Sequence, residues 1–208
     1  MPVHNHKRPK QTKENVQMIC AVCGAALREK TLDRYHYKES GLDNIFLHGG
    51  VKEAACPNRH ERFIAVAAEP QLLQVITLAL LMRPGALSNK ELRYARQSCD
   101  LTQAQLASAM GLTRRETIAE WEGREAGRRD RATEFLLRAV LLREFKEALE
   151  HRVPSHLSPS HFDLLHKFEE AFSRAYTRLS ERKSSKEDKI KFTRVEDTVW
   201  TPEIKVAA

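Results

Sequence analysis

The chain has 208 residues, enough for one larger domain or two small ones, with 41% hydrophobic and 30% charged side chains. Its formal charge of +7 suits a polyanionic partner such as nucleic acid, although a moderately basic solvated surface gives the same figure. No apolar run approaches the roughly 18 residues of a membrane span, and the polar "MPVHNHKRPKQTKENV" has no signal-peptide core, so a cytoplasmic protein without a membrane partner is expected.

Residues 1–17 are polar, basic and aperiodic, and read as a flexible arm; the charge of "HKRPKQTK" suits phosphates, but arms of this composition are more often simply disordered. From 18 to 68 the pattern is short and strand-like. "LDRYHYKE" sets Tyr35 and Tyr37 on one side of a strand, "NIFLHGGVKEAA" follows a turn-rich break, and "RFIAVAA" adds another strand. These segments hold few large apolar side chains, and a unit of that size needs a staple.

From Glu69 to residue 150 the period is helical. "EPQLLQVITLALLMRPG" is a compact apolar helix closed by Pro84 and Gly85, and three short helical stretches follow it. "RATEFLLRAVLLREFKEALEH" is a long amphipathic helix with Ala132, Phe135, Leu136, Ala139, Leu142, Phe145 and Leu149 along one stripe, fit to close the domain and to form a homodimer seam. Cys99 is most simply a core or partly exposed thiol rather than a ligand. Residues 151–208 form an extension: a proline- and serine-rich break, a helix through Leu164, Phe168, Phe172 and Leu179, a charged connector, and "IKFTRVEDTVWTPEIKV" as a terminal β-hairpin or extended tail. The expected fold class is therefore α+β, a β-rich module followed by helices.

Between Leu92 and Gly123 the signals are specific. Thr102 stands three residues before Gln105 and Thr113 three before Glu116, the spacing of two capping boxes. Gly111 lies between them, where the first helix must stop. Leu106, Ala107, Met110, Leu112, Ile118 and Trp121 fall where two short crossing helices share a core. That is the helix-turn-helix pattern, against which stands an ordinary helical hairpin with arginines on its wet face. A second helix beginning at Thr113 presents Arg114 and Arg115 near its N-terminus, where arginine can take guanine or phosphate, with Thr117 one turn on. Gln103 opens the preceding helix, where it can hold the DNA backbone.

"LTQAQLA", "GLTRRETI" and "WEG" closely resemble the Xre/Cro-like helix-turn-helix family. The resemblance implies that Thr102 and Gln103 contact the backbone of double-stranded operator DNA while Thr113, Arg114, Arg115 and Thr117 face the bases. Glu120 departs from it, standing where the family often has a basic or neutral polar residue. A carboxylate there accepts from cytosine N4 or repels phosphate.

The chain has four cysteines, and in a reducing compartment these suit metal ligation or burial better than disulfides. "CAVCG" supplies Cys20 and Cys23, and Gly24 lets backbone amides face the thiolates. "CPNRH" supplies Cys56 and, as the best fourth ligand, His60; His48 is the reserve, and His36 alternates away along its strand. Three readings compete: one structural Zn2+ on three cysteines and a histidine, three thiolates with an open position for water, or no metal at all.

The chain order of a Cys-x-x-Cys pair, "YHYKESGLDNIFLHGGV", a second knuckle, "QLLQVITLALLMRPGALSNKELRYAR" and a helix-turn-helix resembles the MqsA-type antitoxins and the related YgiT-type zinc-finger Xre regulators. The resemblance implies a zinc-bound N-terminal domain able to grip a protein toxin, and a dimerising DNA-binding domain that represses its own operon. The chain departs from it at "CPNRH", in place of Cys-x-x-Cys, and in its long C-terminal extension. No nucleophile–base pair or phosphate loop is present, so no enzyme is expected. The expectation is a homodimeric, DNA-binding repressor, the antitoxin of a type II pair; the alternatives are an orphan zinc-containing regulator with a sensing or protein-binding extension, and a zinc hydrolase tethered to DNA.

Overall fold

Seven strands and five α-helices make this an α+β protein, described over residues 18–83, 85–123, 129–152, 190–195 and 199–203 in a computed structural model. The arm at 1–17, the helix expected across 162–179 and the charged connector lie outside the described residues. No described helix is long and apolar enough to cross a membrane.

Two compact units divide the chain, and they do not follow the linear division at residue 68. The smaller takes its described residues from 18–31 and 52–65, and the larger takes 32–51 and everything described from Val66 onward. The reason lies in "HGGV". Strand β3 (Ile45–His48) ends before Gly49 and Gly50, both left-handed with φ of 74° and 65°, and β4 (Val51–Ala55) then joins a different sheet. A hairpin would have kept the two strands side by side. Gly50 is also crowded, since a Cβ there would meet Arg194 Cδ at 2.7 Å and Trp200 at 2.9 Å.

In the smaller unit β4 is the middle strand, between β1 (Arg28–Leu32) and β5 (Arg62–Val66). Its buried Glu53 draws in Lys30 from β1 at 2.7 Å and Arg62 from β5, so the carboxylate ties all three strands. Lys30 first, then Arg62, hold the Glu53 carboxyl below its ordinary range. The apolar cluster of this unit is small: Cys20, Leu27, Ala54 and Cys56. Two of its four members are thiols, which bears directly on what stabilises it.

The larger unit has a four-stranded sheet, β2–β3–β6–β7, where β2 is Tyr35–His36, β6 is Ile190–Val195 and β7 is Val199–Glu203. The terminal segment is indeed a hairpin, and its β6 pairs parallel to β3, Ile45 with Ile190 through His48 with Thr193. Ile45, Leu47, Phe192 and Trp200 are almost wholly buried. Trp200 Nε1 donates to the Ala67 carbonyl at 2.8 Å, and Ala67 in turn donates to Gly50. Residues near the end of the sequence thus fill the centre of the unit.

Helix α1 (Glu69–Met82) buries every side chain from Val75 to Met82, the pattern of a helix enclosed on all sides. Around it stand α2 (Asn89–Ser98), α3 (Gln103–Ala109), α4 (Arg115–Trp121) and α5 (Arg131–Arg152). The buried stripe of α5 differs from the expected one. Leu137, Val140, Leu141, Phe145 and Leu149 are buried, whereas Ala132 and Leu136 are exposed and Phe135, Ala139 and Leu142 half-buried. Arg138 sets this rotation: its guanidinium lies beneath the end of α1, donating to the carbonyls of Leu81 at 2.8 Å and Arg83 at 2.7 Å, and meets Glu134 at 3.0 Å. Those carbonyls have no partner within α1's own ladder, so a buried cation at that place satisfies them. Cys99, read as core or partly exposed, is buried.

Candidate functional site

The knuckles of the smaller unit are two turns of similar construction. In the first, Gly24 donates to the Cys20 carbonyl at 2.9 Å and adopts φ of 69°. In the second, Arg59 donates to the Cys56 carbonyl at 2.9 Å and adopts φ of 62°. The left-handed residue follows the second ligand in "CAVCG" and precedes it in "CPNRH". That inversion turns His60, four residues beyond Cys56, back toward the thiols, although a bulky side chain at positive φ is costly.

Cys20, Cys23, Cys56 and His60 consequently converge, one donor atom from each lying within 4.8 Å of all the others. Cys23 Sγ and Cys56 Sγ are 3.6 Å apart, and His60 Nδ1 is 3.9 Å from both Cys20 Sγ and Cys56 Sγ. A tetrahedral ion with metal–sulfur bonds of about 2.3 Å sets its ligands about 3.8 Å apart, so these separations fit a single metal ion. The sulfurs are too far apart for a disulfide, and all four cysteines of the chain are free.

Neighbouring groups prepare the thiols. The Ala25 N–H and then the Asn58 amide, at 3.5 Å, lower the Cys23 pKa to about 6, while burial pushes Cys20 up to about 11. A bound cation would take both as thiolates. Glu61 Oε2 accepts from the Ala21 N–H at 3.0 Å and so ties one knuckle to the other. Neither Asn58 nor Glu61 carries a spacing signal that would have singled it out. The reserve histidine is not part of the set: His48 ends β3 opposite Thr193, and His36, as expected, is elsewhere, stacked on Phe46 with Nε2 3.0 Å from the Asp43 carbonyl.

The second group of expected residues lies on α3 and α4. Thr102 caps α3 in a full capping box, its hydroxyl accepting from Gln105 N at 3.2 Å while Gln105 Oε1 accepts from Thr102 N at 2.8 Å. Thr102→Ala is expected to cost about 1 kcal/mol in urea unfolding. Gly111, at φ of 70°, makes the turn. The box at Thr113 does not form. The N-cap of α4 is Arg114, one residue later than the expected Thr113, and it makes no side-chain cap. Glu116, which would have completed the box, instead pairs with Arg115 at 3.3 Å and Arg114 at 4.0 Å. Thr113, Arg114 and Arg115 are exposed, and Thr117 is half-buried. Leu106, Ala107, Met110 and Ile118 form the buried side of the pair.

Glu122 holds this pair to α2. It is 3% exposed, and its carboxylate accepts from Arg96 Nε at 2.6 Å and Arg96 Nη2 at 3.1 Å. Gln103 Nε2, at 3.0 Å, occupies the same carboxylate, so this side chain is spent inside the protein in this state. Arg93 adds a bond to the Glu122 carbonyl at 3.2 Å, and Asn89 one to the Gly123 carbonyl at 2.9 Å. The sequence contained a hint of this knot in Arg93 and Arg96, which flank the buried Leu92–Ala95 face of α2 at one-turn spacing. No family model, curated protein or solved structure matches this chain.

Proposed function

We propose that the protein is a homodimeric, sequence-specific DNA-binding repressor whose N-terminal module is held by one structural Zn2+. The observation that carries the DNA reading is the placement of Arg114 and Arg115. Both are largely exposed at the first turn of a short helix, where free N–H groups also favour phosphate, and the helix is anchored by the Glu122–Arg96 pair. A net charge of +7 supports the same partner. The half-exposed face of α5, with Leu136 45% exposed beside Phe135, Ala139 and Leu142, supports a dimer seam, and two copies would read two half-sites. Three thiolates and an imidazole suit Zn2+ and fill its tetrahedron, which favours a structural over a hydrolytic role. The likeness in chain order to MqsA-type antitoxins extends the reading to a toxin partner and to control of the protein's own operon.

Selection of bound sequences from random duplexes tests this directly. Replacing Arg114 or Arg115 by Ala is expected to cost about 1–3 kcal/mol on the selected duplex where that arginine meets a base, and to relax the preference at that position. A phosphate-contacting arginine would instead weaken all duplexes evenly. Unchanged affinity in both variants would show that the reading helix is misplaced. Co-purification from the native host tests the toxin.

A further inference from the structure

A cavity of about 550 Å3 opens among the N-terminal half of α1, the end of α2, the C-terminal half of α5 and the short 3-10 turn at Lys38–Ser40. That volume lies in the range that holds a small organic ligand. Its base is apolar: Phe145 is 2% and Leu149 5% exposed. Leu73, 38% exposed, stands at the opening. The hydroxyls of Thr77 and Ser98 are spent on helix carbonyls, those of Leu73 and Tyr94. The amides of Gln74 and Gln97 have no partner among the described residues, and Tyr94 Oη donates to the Leu73 carbonyl at 3.3 Å.

The charge of the lining narrows the ligand. None of the described lysines and arginines lines this cavity, and its one carboxylate among the described residues, Glu39, accepts from the Tyr35 hydroxyl. A phosphate or carboxylate ligand would find no counter-charge among the described lining residues. The cavity is also tied to the other side of α2. Tyr94, Gln97 and Ser98 face it, while Arg93 and Arg96 of the same helix grip Glu122 at the end of α4.

We propose that this cavity binds a neutral, mostly apolar organic molecule bearing an amide, carbonyl or hydroxyl group, and that its occupancy shifts α2 and so alters duplex affinity. The second half rests on the DNA reading above; the first does not. The test uses N-phenyl-1-naphthylamine, a neutral probe that brightens in apolar surroundings, titrated into the full-length, metal-loaded chain. Saturable binding of one probe per chain is expected, lost in Leu73→Trp and in Gln97→Trp, each verified as folded by circular dichroism. Phe63→Ser, on the exposed side of β5, is expected to leave binding unchanged. Absence of saturable binding, or binding that survives both tryptophans or vanishes with Phe63→Ser, overturns the site. The selected duplex is then titrated with and without probe. A change of several-fold in affinity that disappears in Leu73→Trp supports the coupling, and unchanged affinity overturns it while leaving the site in place. A chain that binds probe and no duplex refutes the DNA reading alone.

Discussion

Chelation is expected to unfold residues 18–31 and 52–65 while the helices stay folded. The smaller unit has an apolar cluster of Cys20, Leu27, Ala54 and Cys56, far too little to offset the ordering of its described residues. What remains is the ionic tie at Glu53 and the cluster that could hold a metal ion, and zinc binding to such a cluster contributes on the order of 10 kcal/mol. The larger unit buries α1 and its own sheet, and no metal cluster lies among its described residues. Hydrogen exchange before and after chelation should therefore lose protection in β1, β4 and β5 and keep it in α1 and α2. His60→Ala should reproduce the effect in part, because three thiolates still converge. Purified protein with well under one zinc per chain, or a smaller unit that keeps its protection after chelation, would refute the structural-metal reading.

Glu122→Ala is the second large effect expected, about 3–5 kcal/mol of stability and a fall in Tm on the order of 10 °C. Removing the carboxylate leaves the Arg96 guanidinium buried with the Leu101 carbonyl as its remaining partner, and frees Gln103 and Arg93. A buried cation without its anion is far more costly than the pair itself was stabilising. Arg96→Met combined with Glu122→Leu should accordingly recover much of the lost stability. Duplex affinity should not recover with it if the pair is what fixes α4 relative to α2 and α3. Equal unfolding curves for wild type and Glu122→Ala would show that the Glu122–Arg96 pair does not anchor α4.

Much of the candidate metal site was legible because its chemistry is local. Cys20 and Cys23 lie in one turn and Cys56 and His60 in another, and few side-chain types make a soft tetrahedral site. The start of α4 was less legible. Thr113 and Glu116 have the spacing of a capping box, but Arg114 and Arg115 compete for the same carboxylate, and the charged partners prevail. The stripe on α5 was misread for a related reason. Hydrophobic periodicity treats arginine as a solvent residue, whereas Arg138 is buried because the carbonyls at the end of α1 need donors.

By itself, the sequence determined the elements whose causes lie within a few residues of one another: the two knuckles, the apolar α1, the Thr102 cap and the Gly111 turn. The tertiary structure alone decided that 32–51 leave the N-terminal module, that β6 lies parallel to β3, and that Trp200 fills space beside Gly50. It also decided that Glu122 is an internal anchor rather than a solvated acid. The physical reason is the same in each case. A turn or a cap is settled by neighbours along the chain, but a strand's partner and a buried charge's counter-ion are settled by whatever distant residue arrives to complete a hydrogen bond or exclude water.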